Sequence, residues 1–267
     1  MNSDRMHVLV VGATGSVGRL VVEEAAARGH AVRALVRDAR KAARVLRDVD
    51  VVEGDLTRPD TLTAAVEQVD AIVFTHGSDG AGKIGAEQVD YGGVRNVLAA
   101  LAGRQVRIAL MTSIGVTNRD GAYNRQTEAH DWKRRSERLV RSSGLPYTIV
   151  RPGWFDANEP DEHRLVFLQG DRRHAGDPSD GVIARRQLAQ VLVASVTSPP
   201  AASKTFELVA TLGPAPMDLD PLFAVLELDR PSEPDAVHDL ADMPVSDEPA
   251  RVRADLDTLR LGSTKAR

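Results

Sequence analysis

The 267 residues are 42% apolar, 27% charged and 4% aromatic, the composition expected of a packed globular protein with ample chain to bury a core. With 34 Lys and Arg against 38 Asp and Glu the formal charge is −4, so nothing global draws the molecule to nucleic acid or to an anionic membrane. The absence of cysteine excludes disulfides, a thiolate nucleophile, a Cys-ligated zinc and a Cys-held iron–sulfur cluster. The first apolar run is too brief for a secretory segment, and no stretch approaches the roughly 18 apolar residues of a membrane span. A cytoplasmic protein without a membrane partner is expected.

Six short runs rich in Val and Ile predict buried parallel strands, at 7–11, 31–36, 49–53, 70–75, 106–111 and 147–151. Amphipathic segments between them predict helices at 17–28, 39–47, 59–68, 85–102 and 128–143. This alternation implies right-handed crossovers and an α/β fold of the Rossmann type, a doubly wound parallel sheet. Beyond Arg151 the rhythm breaks, and 152–181 reads as a substrate-side insertion with one apolar run at 165–169. A helix at 186–196, a strand at 205–209 and a short helix at 221–226 follow. Residues 218–250 hold ten acidic side chains and one basic, Arg230, giving −9 there and +5 for the rest of the chain. The expected organisation is a domain over 1–215, then over 216–267 an extended acidic surface arm with a terminal helix at 250–261.

The strongest local signal is VVGATGSVG, a glycine-rich turn leaving the first strand and opening the first helix. Gly12 permits the tight turn, Gly15 lets backbone approach a diphosphate without a Cβ clash, and Gly18 allows close packing of helix on sheet. The exposed N–H groups of Ala13, Thr14, Ser16 and Val17, with the positive end of the helix dipole, suit phosphate oxygens. The spacing is GxxGxxG in place of GxGxxG, but its position in the first β/α unit points to dinucleotide binding.

GATGSVG, VRALVRD after the second strand, GDL at 54–56 and KRRSERLVRSSGLPYTIVRPG at 133–153 together resemble the atypical short-chain dehydrogenase/reductases of the NAD(P)H-binding, NmrA-like type. The resemblance runs from about residue 7 to about 210 and implies a Rossmann fold, a nicotinamide cofactor and a small-molecule substrate. It identifies neither the substrate nor the oligomeric state. It is equally silent on turnover, because the group includes reductases, epimerase-like proteins and cofactor-binding sensors.

Nineteen positions after Gly18 stands Arg37, at the carboxyl end of the second strand, where a guanidinium can bind a 2′-phosphate. Asp38 is adjacent, and a shift of one residue would present a carboxylate to a ribose hydroxyl instead. NADP is expected over NAD. The resemblance places Asp55 and Leu56 at the adenine, and Thr75, His76 and Gly77 over the ribose and diphosphate.

Short-chain reductases commonly pair a lysine with a tyrosine four residues earlier, whose phenol protonates the carbonyl that accepts hydride. The family lysine corresponds to Lys133, and Ala129 stands where the tyrosine would be. Ser113 occupies the place of the family serine, and Lys133 can still bind ribose hydroxyls. Tyr123 in the loop before the helix, and His130, are the alternative proton donors. Trp154 and Phe155 leave the sixth strand at its carboxyl end and are expected to line the substrate site, whereas Arg185 is expected to tie a helix to the sheet. The seven histidines show no HxxxH or HExxH spacing, so no metal site is expected.

Overall fold

A computed structural model describes residues 5–78, 80–231 and 233–265. The first half is the expected alternation: β1 (His7–Val11), α1 (Ser16–Ala27), β2 (Ala31–Val36), α2 (Ala39–Ala42), β3 (Asp50–Glu53) and β4 (Ala71–Phe74). There follow α3 (Gly82–Gly85), a π-helical turn (Ala86–Tyr91), α4 (Gly92–Ala100), β5 (Arg107–Met111), α5 (Ala122–Thr127), α6 (Ala129–Ser142) and β6 (Tyr147–Pro152). The strands are ordered β3-β2-β1-β4-β5-β6 and pair in parallel, the doubly wound arrangement whose crevice lies at the carboxyl ends of β1 and β4.

β1 shows why its run reads as continuously apolar. Val8 and Val10 face one core cluster with α1, while Leu9 and Val11 face a second with the α4 and α6 side, so both faces of the strand are covered. The chain then adds β7 (Trp154–Phe155), β8 (Arg164–Leu168), β9 (Val182–Ile183), α7 (Arg185–Thr197), β10 (Lys204–Thr211), α8 (Asp220–Ala224) and α9 (Ala250–Lys265). β10 lies parallel to β6 and antiparallel to β8 and β9, and β9 pairs with β7.

Two of the expected helices are corrected. The helix expected at 59–68 is two 3₁₀ turns, Pro59–Thr61 and Ala64–Val66, because Thr61 Oγ1 bonds back to the Arg58 carbonyl at 2.7 Å. The helix expected at 39–47 stops at Ala42. The helix expected at 128–143 is α6 (Ala129–Ser142), and Glu128, with a left-handed φ of 54°, separates it from the short α5 before it.

The acidic segment is likewise not a solvated arm. It lies across α6 and covers arginines that the sequence offers as a charged helix face. Arg138, fully buried, donates to Asp235 at 2.7 and 2.8 Å and to Glu248 at 2.6 Å, and Arg134 pairs with Asp235 and Asp242. Arg151, on β6 and also fully buried, gathers Glu137 and Asp239 at 2.7 Å and Glu207 at 3.2 Å. Opposite charges separated in sequence therefore neutralise one another in space, as buried ions must. α9 completes the cover by burying Val252 and Leu256 against the second cluster, and its Asp255 accepts from the Tyr91 hydroxyl at 2.7 Å.

Candidate functional site

The glycine turn carries its constraints in its geometry. Gly12 has a φ of +87°, and a Cβ there would lie 2.7 Å from the His76 amide nitrogen and 2.9 Å from the Thr75 carbonyl carbon. A Cβ on Gly18 would lie 2.1 Å from the Gly12 carbonyl oxygen. These two glycines are required by the protein itself. Gly15 differs, because a Cβ there would touch only the Gly12 carbonyl oxygen, at 3.2 Å, and its outer side is open. Thr14, Gly15 and Ser16 are exposed at the start of α1, whose first turn has no side-chain cap, while Ala13 and Val17 are buried beneath. Open amides at a helix start form a cradle for an anionic group.

Loops from the neighbouring strands converge on this cradle. Thr75 is buried and its hydroxyl donates to the Val11 carbonyl at 3.0 Å, which fixes the exit of β4 against that of β1. His76 places Nε2 3.1 Å from the Val89 carbonyl, and because a carbonyl only accepts, the ring proton sits on Nε2. Burial lowers the His76 pKa to about 4, so the ring is neutral near pH 7, and its buried Nδ1 lone pair has no partner. Gly77 is exposed beside it. Leu56 and His76 Nε2 both pack within about van der Waals reach of Gly93 on α4, at 3.0 and 3.2 Å from where its Cβ would be.

Arg37 directly follows β2, is exposed, and makes no hydrogen bond or ion pair with another described residue. Asp38 is committed elsewhere: its carboxylate caps α2 by accepting from the Lys41 amide at 3.0 Å. Arg37 is thus exposed without a partner, whereas one oxygen of Asp38 is engaged by the helix cap. Asp55 Oδ1 accepts from the amide and hydroxyl of Thr57, both at 2.8 Å. The Thr57 amide, with help from the Arg37 and Arg58 charges, holds its pKa below the ordinary value. A turn aspartate is thus part of what Asp55 does, and its field reaches Arg37.

Lys133 lies one turn into α6, and its ammonium donates to Asp90 at 2.9 Å. Asp90 is buried in the π-helical turn and also accepts from the Ser78 amide at 3.2 Å and hydroxyl at 2.6 Å. Asp90 therefore joins Lys133 to the loop after β4. Nothing local distinguishes Asp90 in sequence, because Glu87 and Gln88 stand in the same turn. π-turns interrupt helices where a side chain must be redirected, often at functional sites.

The catalytic candidates are not all drawn together. Ser113 lies beyond β5, with its hydroxyl buried and without a hydrogen-bond partner. Ala129 is 3% exposed within the second apolar cluster beside Tyr91 and Trp132, so no space waits there for a phenol. Tyr123 is 56% exposed and its ring lies 5.2 Å from that of His130. His130 has a buried, unpartnered Nδ1 and a pKa lowered by burial, so it too is neutral near pH 7. Behind these residues Asp171 accepts from the Gly115 and Thr117 amides, each at 2.7 Å, and so fixes the loop after Ser113. Trp154 is 42% exposed, whereas Phe155 is half-buried beneath the Arg185 guanidinium at 4.7 Å.

A wide groove lined by Met6, His30, Arg107 and Ser198 lies at the opposite, amino ends of the strands. Open α/β sheets take their ligands at the carboxyl ends, where the cradle is. Among the described residues no cluster of three or more His, Cys, Asp or Glu side chains is arranged to hold a metal ion. No helix among them is long and apolar enough to cross a membrane.

Strand order, glycine cradle and converging loops define a nucleotide-binding Rossmann protein. The chain belongs to the NAD(P)H-binding family, whose model matches residues 12–199. It is 31% identical to the uncharacterized sugar epimerase YhfK of Bacillus subtilis over 209 residues, 76% of this chain and 94% of that one. It is 33% identical to the photosystem II assembly factor Ycf39 of Synechocystis over 152 residues, where the match spans 56% of this chain and 45% of the relative. Among solved structures, an NAD-dependent epimerase/dehydratase-like protein from Bacillus halodurans superposes with a TM-score of 0.69 and 27% identity, covering 83% of this chain and all of the other.

Two observations test whether this chain suits an NAD(P)H molecule. Gly15 is a glycine that no protein neighbour demands, as a close diphosphate would require. The buried Nδ1 of His76 and hydroxyl of Ser113 lack partners that a bound ligand can supply. The residues fit the group.

Proposed function

We propose that the protein is an NADPH-dependent oxidoreductase of the atypical short-chain type that reduces a small carbonyl or enone substrate. NADPH would supply the hydride; the chain supplies binding, orientation and polar contacts. Amides of residues 13–17 hold the diphosphate, and Arg37 receives the 2′-phosphate. The uncommitted Arg37 beside a capped Asp38 supports NADP over NAD. Asp55 and Leu56 border the adenine, while Thr75, His76 and Gly77 border the ribose and diphosphate. Lys133, anchored by Asp90, keeps further N–H donors for ribose hydroxyls.

The observation that carries the reductase reading is the Ser113 hydroxyl, buried without a partner at the end of β5. Such an orphan costs about 1–3 kcal/mol, a cost that a substrate carbonyl accepting its hydrogen bond would offset. Trp154 and Phe155 border the same end of the sheet, and Tyr123 is the exposed phenol nearest to His130. The test is NADPH consumption over a panel of aldehydes, enones and quinones, with Ser113→Ala as the control. Turnover that Ser113→Ala abolishes while NADPH binding persists supports the reading. Turnover unaffected by that substitution removes Ser113 from the mechanism.

A second reading has its own observation. Ala129 is packed into the core where reductases of this type carry their acid, which favours a cofactor-binding sensor without turnover. Tight NADPH binding with no consumption on any substrate of the panel would select it.

A further inference from the structure

Arg185, the first residue of α7, reaches across to the glycine cradle. Its Nε donates to the Ser16 hydroxyl at 3.1 Å, and Ser16 is the exposed first residue of α1. The same guanidinium lies over the Phe155 ring at 4.7 Å and pairs through Nη1 with Asp156, whose other carboxylate oxygen accepts from the Arg185 amide at 2.9 Å. Asp156 has a left-handed φ of 54° and is pinned by its amide to the Ile183 carbonyl at 3.0 Å. One side chain thus joins the start of α1 to the strand that carries Trp154 and Phe155. The Nη2 hydrogens have no acceptor among the described residues.

A planar guanidinium beside open helix amides, with unused donors and only a half-exposed carboxylate for a counter-ion, is well suited to exchange partners with a phosphate. We propose that Arg185 is a second cation of the diphosphate site, held by Asp156 until the cofactor competes for it. Asp156 is then a competitor of the diphosphate, and Arg185 couples cofactor occupancy to the Trp154–Phe155 strand. The sequence suggested only a tie between helix and sheet. The proposal rests on the reading that residues 12–18 hold the diphosphate.

The two members of the pair are expected to act in opposite directions. Titration of the wild type, Arg185→Ala and Asp156→Asn with NADPH, NADH and ADP, followed by fluorescence or calorimetry, tests this. Arg185→Ala is expected to weaken all three ligands about 10–100-fold and leave the NADPH-to-NADH ratio unchanged, as loss of one charge-assisted phosphate contact implies. Asp156→Asn keeps an oxygen for the Arg185 amide but loses the competing charge, and is expected to tighten all three about 3–10-fold. A purely structural tie predicts no tightening. Wild-type affinity in Arg185→Ala, or weaker binding in Asp156→Asn, overturns the proposal. If Arg185→Ala does not fold, the sign of the Asp156→Asn effect decides alone. A wild type that binds neither NADPH nor ADP overturns the underlying reading of the cradle instead.

Discussion

The same substitution at Gly15 and at Gly18 separates folding from binding. At Gly18 a methyl group would sit 2.1 Å from the Gly12 carbonyl oxygen and 2.9 Å from Ala13 Cα, both backbone atoms that cannot yield without moving the turn. Gly18→Ala is expected to cost about 1–3 kcal/mol, the usual range for overpacking, and to lower the melting temperature by roughly 2–4 °C per kcal/mol in a chain of this size. At Gly15 the methyl meets a single atom at 3.2 Å, and the backbone, at φ −71° and ψ 169°, suits any L residue. The reduced freedom of the unfolded chain offsets that contact, so Gly15→Ala should melt within about 0.5 kcal/mol of the wild type. Its methyl nevertheless stands where a diphosphate must approach the α1 amides. Losing one charge-assisted hydrogen bond there costs about 1.5–3 kcal/mol, a rise of about 10–150-fold in the NADPH dissociation constant. Thermal melting and NADPH fluorescence titration on both variants make the comparison. A Gly15→Ala protein that binds NADPH like the wild type would refute the cradle, and a harmless Gly18→Ala would refute the packing argument.

Three further outcomes follow from the packing and charge of the core. Arg138→Met leaves Asp235 and Glu248 as buried carboxylates short of a partner, and should cost about 3–5 kcal/mol in urea denaturation, with faster proteolysis between residues 229 and 248. Unchanged stability would mean that the acidic segment is not held by this network. Ala129→Tyr forces a phenol into the apolar cluster that buries Ala129 and should lose about 1–3 kcal/mol; an undiminished melting temperature would show an open space on that face of α6. Burial raises the Glu207 pKa to about 7 despite the Arg151 charge, against an ordinary 4.5. The folded state then binds this proton more tightly than the unfolded one, so Glu207 erodes stability as pH rises from about 4.5 to 7, by up to ~3 kcal/mol. Glu207→Gln should lack this decline and gain on the wild type across that window; parallel stability curves would contradict it. Asp235 acts in the opposite sense, because Arg138 and Arg134 outweigh its burial and hold its pKa at about 2. The stability it contributes is present above about pH 4 and is lost as pH falls toward 2.

What the sequence discloses is what local chemistry determines. The β1 run, buried on both faces, and the three glycines with their separate steric duties are legible because period and backbone sterics act over a few residues. The limits lie where distant residues decide. Nothing local to α6 marks its arginines as core, and only their pairing with Asp235, Asp242 and Glu248, about a hundred residues later, shows them so. The charge split of −9 against +5 suggested an extended acidic arm, because it names no partners for either sign. Asp90 escaped notice because its role depends on a π-helical turn that no propensity signals, and on Lys133, 43 positions away. Arg185 was read as structural for a similar reason: its contact with Ser16 spans 169 positions. The Arg37 and Asp38 ambiguity was one of register, which a sequence alone does not fix; the cap that Asp38 makes on α2 depends on the turn that follows β2.

The most direct test of the account is parallel titration of the wild type and Arg37→Ala with NADPH and NADH, read by calorimetry. The account predicts saturable one-to-one binding by the wild type, tighter for NADPH. Arg37→Ala should weaken NADPH by about 10–150-fold, corresponding to about 1.5–3 kcal/mol, and leave NADH within about twofold. Equal losses for both cofactors, or a wild type that prefers NADH, would contradict it.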